Sequence, residues 1–131
     1  MNNFVLVILG IIGLFVIFQF VMKFRSWSQR GKPAPRVGGS LGKSIIKGEK
    51  ILAYFYSPNC RACKTQETYL PGVQEKFKNI FRVNAAKERD IASAFGIIGT
   101  PTTIVIENGI IKDYFVGITG VPKLLHSLEL K

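Results

Sequence analysis

From Phe4 to Met22 the chain reads FVLVILGIIGLFVIFQFVM, an apolar run without charge in which Gln19 is the single polar side chain. At about 1.5 Å of rise per residue, a helix of this length covers roughly the 30 Å hydrocarbon layer of a bilayer, whereas the apolar core of a secretory signal is about 7 to 15 residues. The MNN before it supplies no basic leader, no small-x-small cleavage site follows, and a helix buried in a protein core would carry a polar face. The pattern predicts one membrane-spanning helix over residues 4–22, preceded by a short tail, residues 1–3.

Beyond residue 50 the period changes. Ile51 to Ser57 (ILAYFYS) is a short continuous apolar and aromatic run closed by Pro58, the signature of a central strand buried on both faces. Arg61 to Lys78 is compatible with helix, with Pro71 and Gly72 predicting a kink or two shorter helices. Phe81 to Ala85 alternates as a second strand, Glu88 to Phe95 reads as a short helix, and Gly96 to Pro101 as the loop leaving it. Thr102 to Glu107 is β-branched at almost every position, Asn108-Gly109 is the favoured dipeptide of a tight hairpin, and Ile110 to Val116 returns. Gly117 to Gly120 then turns into a closing helix, Val121 to Leu130, with Val121, Leu124, Leu125 and Leu128 on one face. The predicted order is β, α, β, α, β, β, α. Neither internal repeats nor a phosphate-binding glycine loop occurs, which removes nucleotide chemistry from consideration.

Between the apolar run and the first strand, Lys23 to Lys50 holds eight Lys or Arg against the single Glu49 and is broken by Pro33, Pro35, Gly38 and Gly39. This stretch carries +7 of the chain's net +10, so the charge belongs mainly to the segment between the apolar run and the first strand, which begins as a linker, residues 23–40, and nucleic-acid binding is not implied. A basic cluster beside a membrane helix reads as contact with anionic lipid head groups, with Trp27 at interfacial depth. Lys23, Arg25, Arg30, Lys32 and Arg36 all follow the helix and no Lys or Arg precedes it, so the positive-inside rule places the domain in the cytoplasm. An extracytoplasmic or periplasmic domain is the alternative, because two cysteines do not settle the compartment.

Cys60 and Cys63, the only cysteines, stand in SPNCRACKTQ, after the central strand and at the start of a helix. There the first sulfur meets unpaired backbone N–H groups and the positive end of the helix dipole, which favours the thiolate and makes Cys60 the attacking sulfur. Cys63, one turn later, faces the same way and can resolve a mixed disulfide. Arg61 and Lys64 add positive charge beside the thiols. A structural metal usually takes four ligands, and the chain offers these two cysteines and the distant His126, so no metal site is expected, although transfer of a soft ion such as Cu(I) and a pair of inert thiols stay open.

FYSPNCRACK, then GIIGTPTTIVIENG about 40 residues on, then VGITGVPKLLHSLELK, resemble the thioredoxin-fold proteins from about Leu41 to Lys131, the expected domain. The resemblance implies an α/β thioredoxin fold, a mixed sheet flanked by helices, tethered here by the N-terminal transmembrane helix. It further implies a thiol-disulfide oxidoreductase with protein disulfides or dithiols as substrates and no dissociable cofactor, the Cys60–Cys63 disulfide carrying the electrons. Carried over position by position, Cys60 is the nucleophile, Cys63 the resolving thiol, Pro101 a cis-proline against the disulfide, and Thr100 the residue whose backbone pairs with substrate as an added strand. The departures are specific. Asn59 replaces the aromatic before the first cysteine, Arg61-Ala62 replaces Gly-Pro, and Tyr54 replaces the buried acid that assists proton transfer at the second thiol. Arg82 stands where the family has a lysine on the neighbouring strand, the helix proline is displaced to Pro71, and the family's first strand and helix are abbreviated. These departures leave open a second reading, an accessory subunit docked to a membrane complex with dispensable cysteines.

Overall fold

The computed structural model describes residues 2–130; Met1, in the expected tail, and Lys131, at the end of the expected domain, lie outside the described residues. In chain order the elements are α1 (Asn3–Gln29), α2 (Gly39–Ile46), β1 (Ile51–Tyr56), α3 (Arg61–Gln74), β2 (Ile80–Asn84), α4 (Arg89–Ala94), β3 (Thr102–Glu107), β4 (Ile110–Val116) and α5 (Val121–Ser127). The strands form one mixed sheet in the order β2-β1-β3-β4. β1 runs parallel to β2 and antiparallel to β3, with Phe55 opposite Val83 on one side and Thr102 on the other. Asn108 and Gly109 both take positive φ, 54° and 74°, the backbone that turns β3 into β4 with the sheet's own twist.

The continuous apolar run of β1 is explained by helices on both faces of the sheet. Ala53 and Phe55 face Leu41 and Ile45 of α2 and Ala92 and Phe95 at α4, while Leu52 and Tyr54 face Leu70 and Val73 of α3 and Leu124 and Leu128 at α5. α3 runs through Pro71 as one element, with Pro71 on its exposed side, rather than as two shorter helices, and it ends at Gln74, short of Lys78. Likewise α5 stops at Ser127, because Glu129 adopts positive φ and the chain leaves the helical path. No strand among the described residues precedes β1, and α2 stands in for the abbreviated opening.

α1 continues seven residues past Met22, the predicted end, to Gln29, so the first part of the basic stretch is helical rather than linker. By length and composition it can cross a membrane. The residues that follow are seated on the sheet rather than loose. Gly31 N–H donates to Ile111 O at 2.8 Å, Ile111 N–H to Lys32 O at 2.9 Å, and Ala34 N–H to Gly109 O at 2.8 Å. This strap covers the outer edge of β4, whose unpaired amides would otherwise invite another strand. Arg25 Nη2 donates to Gly96 O at 2.6 Å and Arg30 pairs with Asp113 at 3.2 Å, so two of the five cations expected at lipid head groups are engaged by the domain.

A buried amide joins the two halves of the second core. Gln66, fully buried on α3, donates through Nε2 to Thr119 O at 2.9 Å and accepts from Thr119 N–H at 2.7 Å. Gln66→Leu keeps most of the volume but strands both backbone groups of Thr119, and should lower the unfolding free energy by about 2–4 kcal/mol in urea titrations.

Candidate functional site

β1 delivers the chain through Ser57 to Cys60, the N-cap of α3, with φ −98° and ψ 112°. Cys60 Sγ accepts the N–H of Cys63 at 3.1 Å, one of the amides that a helix start leaves without an intrahelical partner. The two cysteines form a disulfide across a Cα–Cα distance of 5.2 Å. Cys60 is half-buried and Cys63 only 2% exposed, so an incoming sulfur meets Cys60 first. The N-terminal dipole and the Cys63 amide stabilise negative charge at Cys60 Sγ when the pair is reduced.

The second wall comes from the start of β3. The Thr100–Pro101 peptide is cis. Thr100 O lies 3.5 Å from Cys60 Sγ, and Thr100 Oγ1 and Ser57 Oγ share a hydrogen bond at 3.2 Å. Thr102 Oγ1 donates to Gly99 O at 2.7 Å, which holds the loop, and the Thr100 N–H has no backbone partner among the described residues. A third wall follows β4, where Gly117 N–H donates to Pro101 O at 2.8 Å. Ser57, Ala85, Ala86, Arg89, Ile97 and Thr100 border a cleft of about 430 Å³ beside the cysteines.

Tyr54 lies beneath the pair, fully buried, and its hydroxyl donates to Cys63 O at 3.0 Å. Burial first, then the nearby Glu67 carboxylate, push its pKa up to about 12, against the opposing pull of Arg82. It is therefore neutral across the physiological range and serves as a fixed donor to the α3 backbone, with no basic oxygen to take a proton from Cys63. Arg61 and Lys64 lie exposed on the first turn of α3. Arg82 is exposed and pairs with Glu67 at 3.8 Å. The structure thus gathers Cys60, Cys63, Thr100, Pro101 and Tyr54 at one end of the sheet, flanked by Arg61 and Lys64, and leaves Arg82 outside. Among the described residues no group of three or more His, Cys, Asp or Glu side chains could hold a metal ion.

The thioredoxin family model matches residues 39–129. The chain belongs to the thioredoxin family. Thioredoxin of Mycoplasma genitalium is 27% identical over 86 residues, covering 63% of this chain and 84% of that protein. A prophage-derived thioredoxin-like protein of Bacillus subtilis is 35% identical over 51 residues, 39% of this chain and 60% of the relative. A probable protein disulfide-isomerase A4 of Caenorhabditis elegans is 32% identical over 76 residues, 53% of this chain but 12% of the much longer relative. Among solved structures, oxidised mitochondrial thioredoxin 3 of Saccharomyces cerevisiae superposes with a TM-score of 0.62 at 17% identity, covering 80% of this chain and 99% of that one. A mutant thioredoxin of Halobacterium salinarum gives 0.62 at 22% identity, covering 75% and 91%. The thioredoxin fold, with a mixed four-stranded sheet between helices, is thus shared with proteins of low sequence identity.

Sequence reasoning missed the supports of this thioredoxin site: Ser57, Gln66, Gly117 and Thr119. Gln66 did leave a signal. Cys63, Gln66, Leu70 and Val73 are the buried stripe of α3, and one polar amide on such a stripe must bond to something inside. The others act through backbone groups or through a partner distant in sequence.

The raised pKa of Tyr54 has a measurable sign. Its folded value of about 12 exceeds the ordinary 10.0, so folding favours the neutral ring; this stabilisation is complete below pH 10 and is lost as pH rises through 12. Stability should fall by on the order of 2–3 kcal/mol over that interval, and Tyr54→Phe should remove that part of the decline, read from urea midpoints between pH 9 and pH 12.

Proposed function

We propose that the chain is a membrane-tethered thiol-disulfide oxidoreductase that reduces protein disulfides with the Cys60/Cys63 dithiol. The observation that carries this reading is the half-buried Cys60 Sγ, held at the start of α3 by the Cys63 amide and lying 3.5 Å from Thr100 O. In the reduced form, Cys60 thiolate attacks one sulfur of a substrate disulfide; that bond breaks, one substrate thiolate leaves, and a mixed disulfide forms. Cys63 then attacks Cys60 Sγ, releasing the second substrate thiol and closing the Cys60–Cys63 disulfide. Two electrons pass to the substrate through the two sulfurs, which makes a dissociable cofactor unnecessary.

Thr100 and Pro101 form the substrate-binding edge, since an extended substrate segment can pair with the unpartnered Thr100 N–H beside the sulfur. Arg61 and Lys64 modulate the site by favouring the thiolate, and Arg82 acts at a distance through its effect on Tyr54. Tyr54 supports the first turn of α3, so the proton on Cys63 leaves by way of water or substrate.

α1 is read as a single-pass membrane helix. The positive-inside rule, applied to Lys23, Arg25, Arg30, Lys32 and Arg36 after the apolar run, supports a cytoplasmic domain, and the exposed Lys23, Lys32 and Arg36 suit anionic head groups. In that compartment thiols are kept reduced, and reduction is the direction of flow.

Full-length protein in detergent, reduced beforehand with a small dithiol, should reduce a soluble protein disulfide. Cys60→Ser should lower the rate by more than about 100-fold, and Cys63→Ser should accumulate a mixed disulfide visible on non-reducing gels. Equal rates for Cys60→Ser and the unmodified chain would overturn the redox reading in favour of a docking subunit.

A further inference from the structure

The direction in which α1 crosses the sheet carries a consequence for the substrate. Phe55 pairs with Thr102 and Thr102 with Val116, so the C-terminal ends of β1 and β4 and the start of β3 lie together, at the end of the sheet that bears Cys60 and Pro101. α1 runs along β4 toward that end. Gly31 bonds to Ile111, Arg30 pairs with Asp113, Arg25 reaches the Tyr114 hydroxyl, and Phe18 and Met22 border a cleft with Val116 and Ile118. Traced backwards from Gly31 to Phe18, the chain climbs from the start of β4 past its last residue. Its apolar turns from Phe4 onward project beyond the redox end and remain exposed.

The rim at that end has the chemistry of a surface that meets lipid. Ile98 and Ile118, 53% and 49% exposed, stand in the loops before Pro101 and after β4. Arg61 and Lys64 open α3 and Lys123 lies in the first turn of α5, all exposed, with Lys23 across the cleft on α1. Apolar tips within a ring of cations match the boundary between an anionic head-group layer and hydrocarbon. The cleft between α1 and the loop after β4, about 490 Å³, is lined by Phe18, Met22, Lys23, Val116, Ile118 and Lys123 and opens where the apolar run ends, and the loop on its inner side is tied to the redox end by the Gly117 N–H bond to Pro101 O.

We propose that the redox end of the sheet faces the bilayer, and that its substrate is a disulfide in the juxtamembrane segment of an integral membrane protein. The segment leaves the bilayer over the rim that carries Ile118 and Ile98 and presents its sulfur to Cys60. This rests on the membrane-tethered reductase reading and adds the substrate class. α1 is then an orienting element as well as a tether, because the contacts of Arg25 and Arg30 with the domain hold Cys60 toward the lipid. The chemistry is the two-electron exchange above: the chain's dithiol becomes its disulfide as the membrane protein's disulfide becomes two thiols.

The test uses the full chain in vesicles of mixed phosphatidylcholine and phosphatidylglycerol. In a Trp27→Phe background, Ile118→Trp and, separately, Ile98→Trp should be quenched by brominated lipid, whereas Ile110→Trp, at the far end of β4, should not. The pre-reduced chain is then given two probes: a synthetic transmembrane peptide with a cysteine pair just outside its apolar span, and a soluble disulfide protein. The peptide in the same vesicle should be reduced at least about tenfold faster than the soluble disulfide, and the preference should vanish in detergent. No quenching at Ile98→Trp or Ile118→Trp, or equal rates for both probes in vesicles, would overturn the proposal while leaving the reductase intact. Failure to reduce either probe in detergent would instead overturn the reductase reading itself, and release of the chain from vesicles by alkaline carbonate would overturn the membrane tether.

Discussion

The antiparallel register of β1 against β3 is the constraint on which the site depends. It sets Phe55 opposite Thr102, so the residue that ends the buried part of β1 and the residue that opens β3 leave the sheet side by side. Four residues beyond Tyr56 the chain reaches Cys60, and one residue before Thr102 it passes Pro101. A slip of one position would send Phe55 to the opposite face and separate the sulfur from the Thr100 carbonyl. The parallel pairing of β1 with β2 makes that slip costly, because β1 is held on both edges and buried on both faces.

The same register accounts for the tie between the site and the rest of the fold. The hairpin brings Val116 beside Thr102, and the loop that follows closes on Pro101 through Gly117 and on α3 through the pair formed by Gln66 and Thr119. Three segments far apart in sequence become one rigid corner. Tyr54 completes it from below. A carboxylate at this depth would titrate with the redox cycle, whereas the buried phenol remains neutral and anchors the Cys63 carbonyl. Where the resemblance expects a buried acid, this chain has a phenol that donates to the Cys63 carbonyl.

α1 has its own logic. A helix meant only as a tether would reach the domain through a free linker, and the prolines and glycines of residues 31–39 suggest one. Instead the strap takes the backbone groups at the edge of β4, and Arg25 and Arg30 lock the end of α1 to Gly96 and Asp113. Gly96 has φ 67°, and a Cβ there would come within 2.9 Å of the Arg25 guanidinium, so this glycine admits the arginine as well as the turn. The helix and the sheet are thus joined, and the apolar part of α1 leaves the domain at the end of the sheet that carries the cysteines.

Read alone, the sequence determined the apolar helix, the central strand, the hairpin at Asn108-Gly109 and the position of the cysteines between a strand and a helix. Each of these is written in adjacent residues, as a period, a run or a turn dipeptide. The roles expected of Thr100 and Pro101 came from resemblance; the structure shows the peptide between them cis and Thr100 O 3.5 Å from Cys60 Sγ. Only the tertiary structure decided that Arg82 turns to Glu67, that Gln66 holds the loop after β4, that α1 extends to Gln29, and that the basic stretch is divided between domain and solvent. These outcomes depend on which partner a polar group meets across the sheet, and a partner distant in sequence leaves no period behind. The side on which α1 leaves the domain is of the same kind. Composition marks the helix as apolar, but its alignment along β4 toward Cys60 follows from contacts that exist only once the strands have paired.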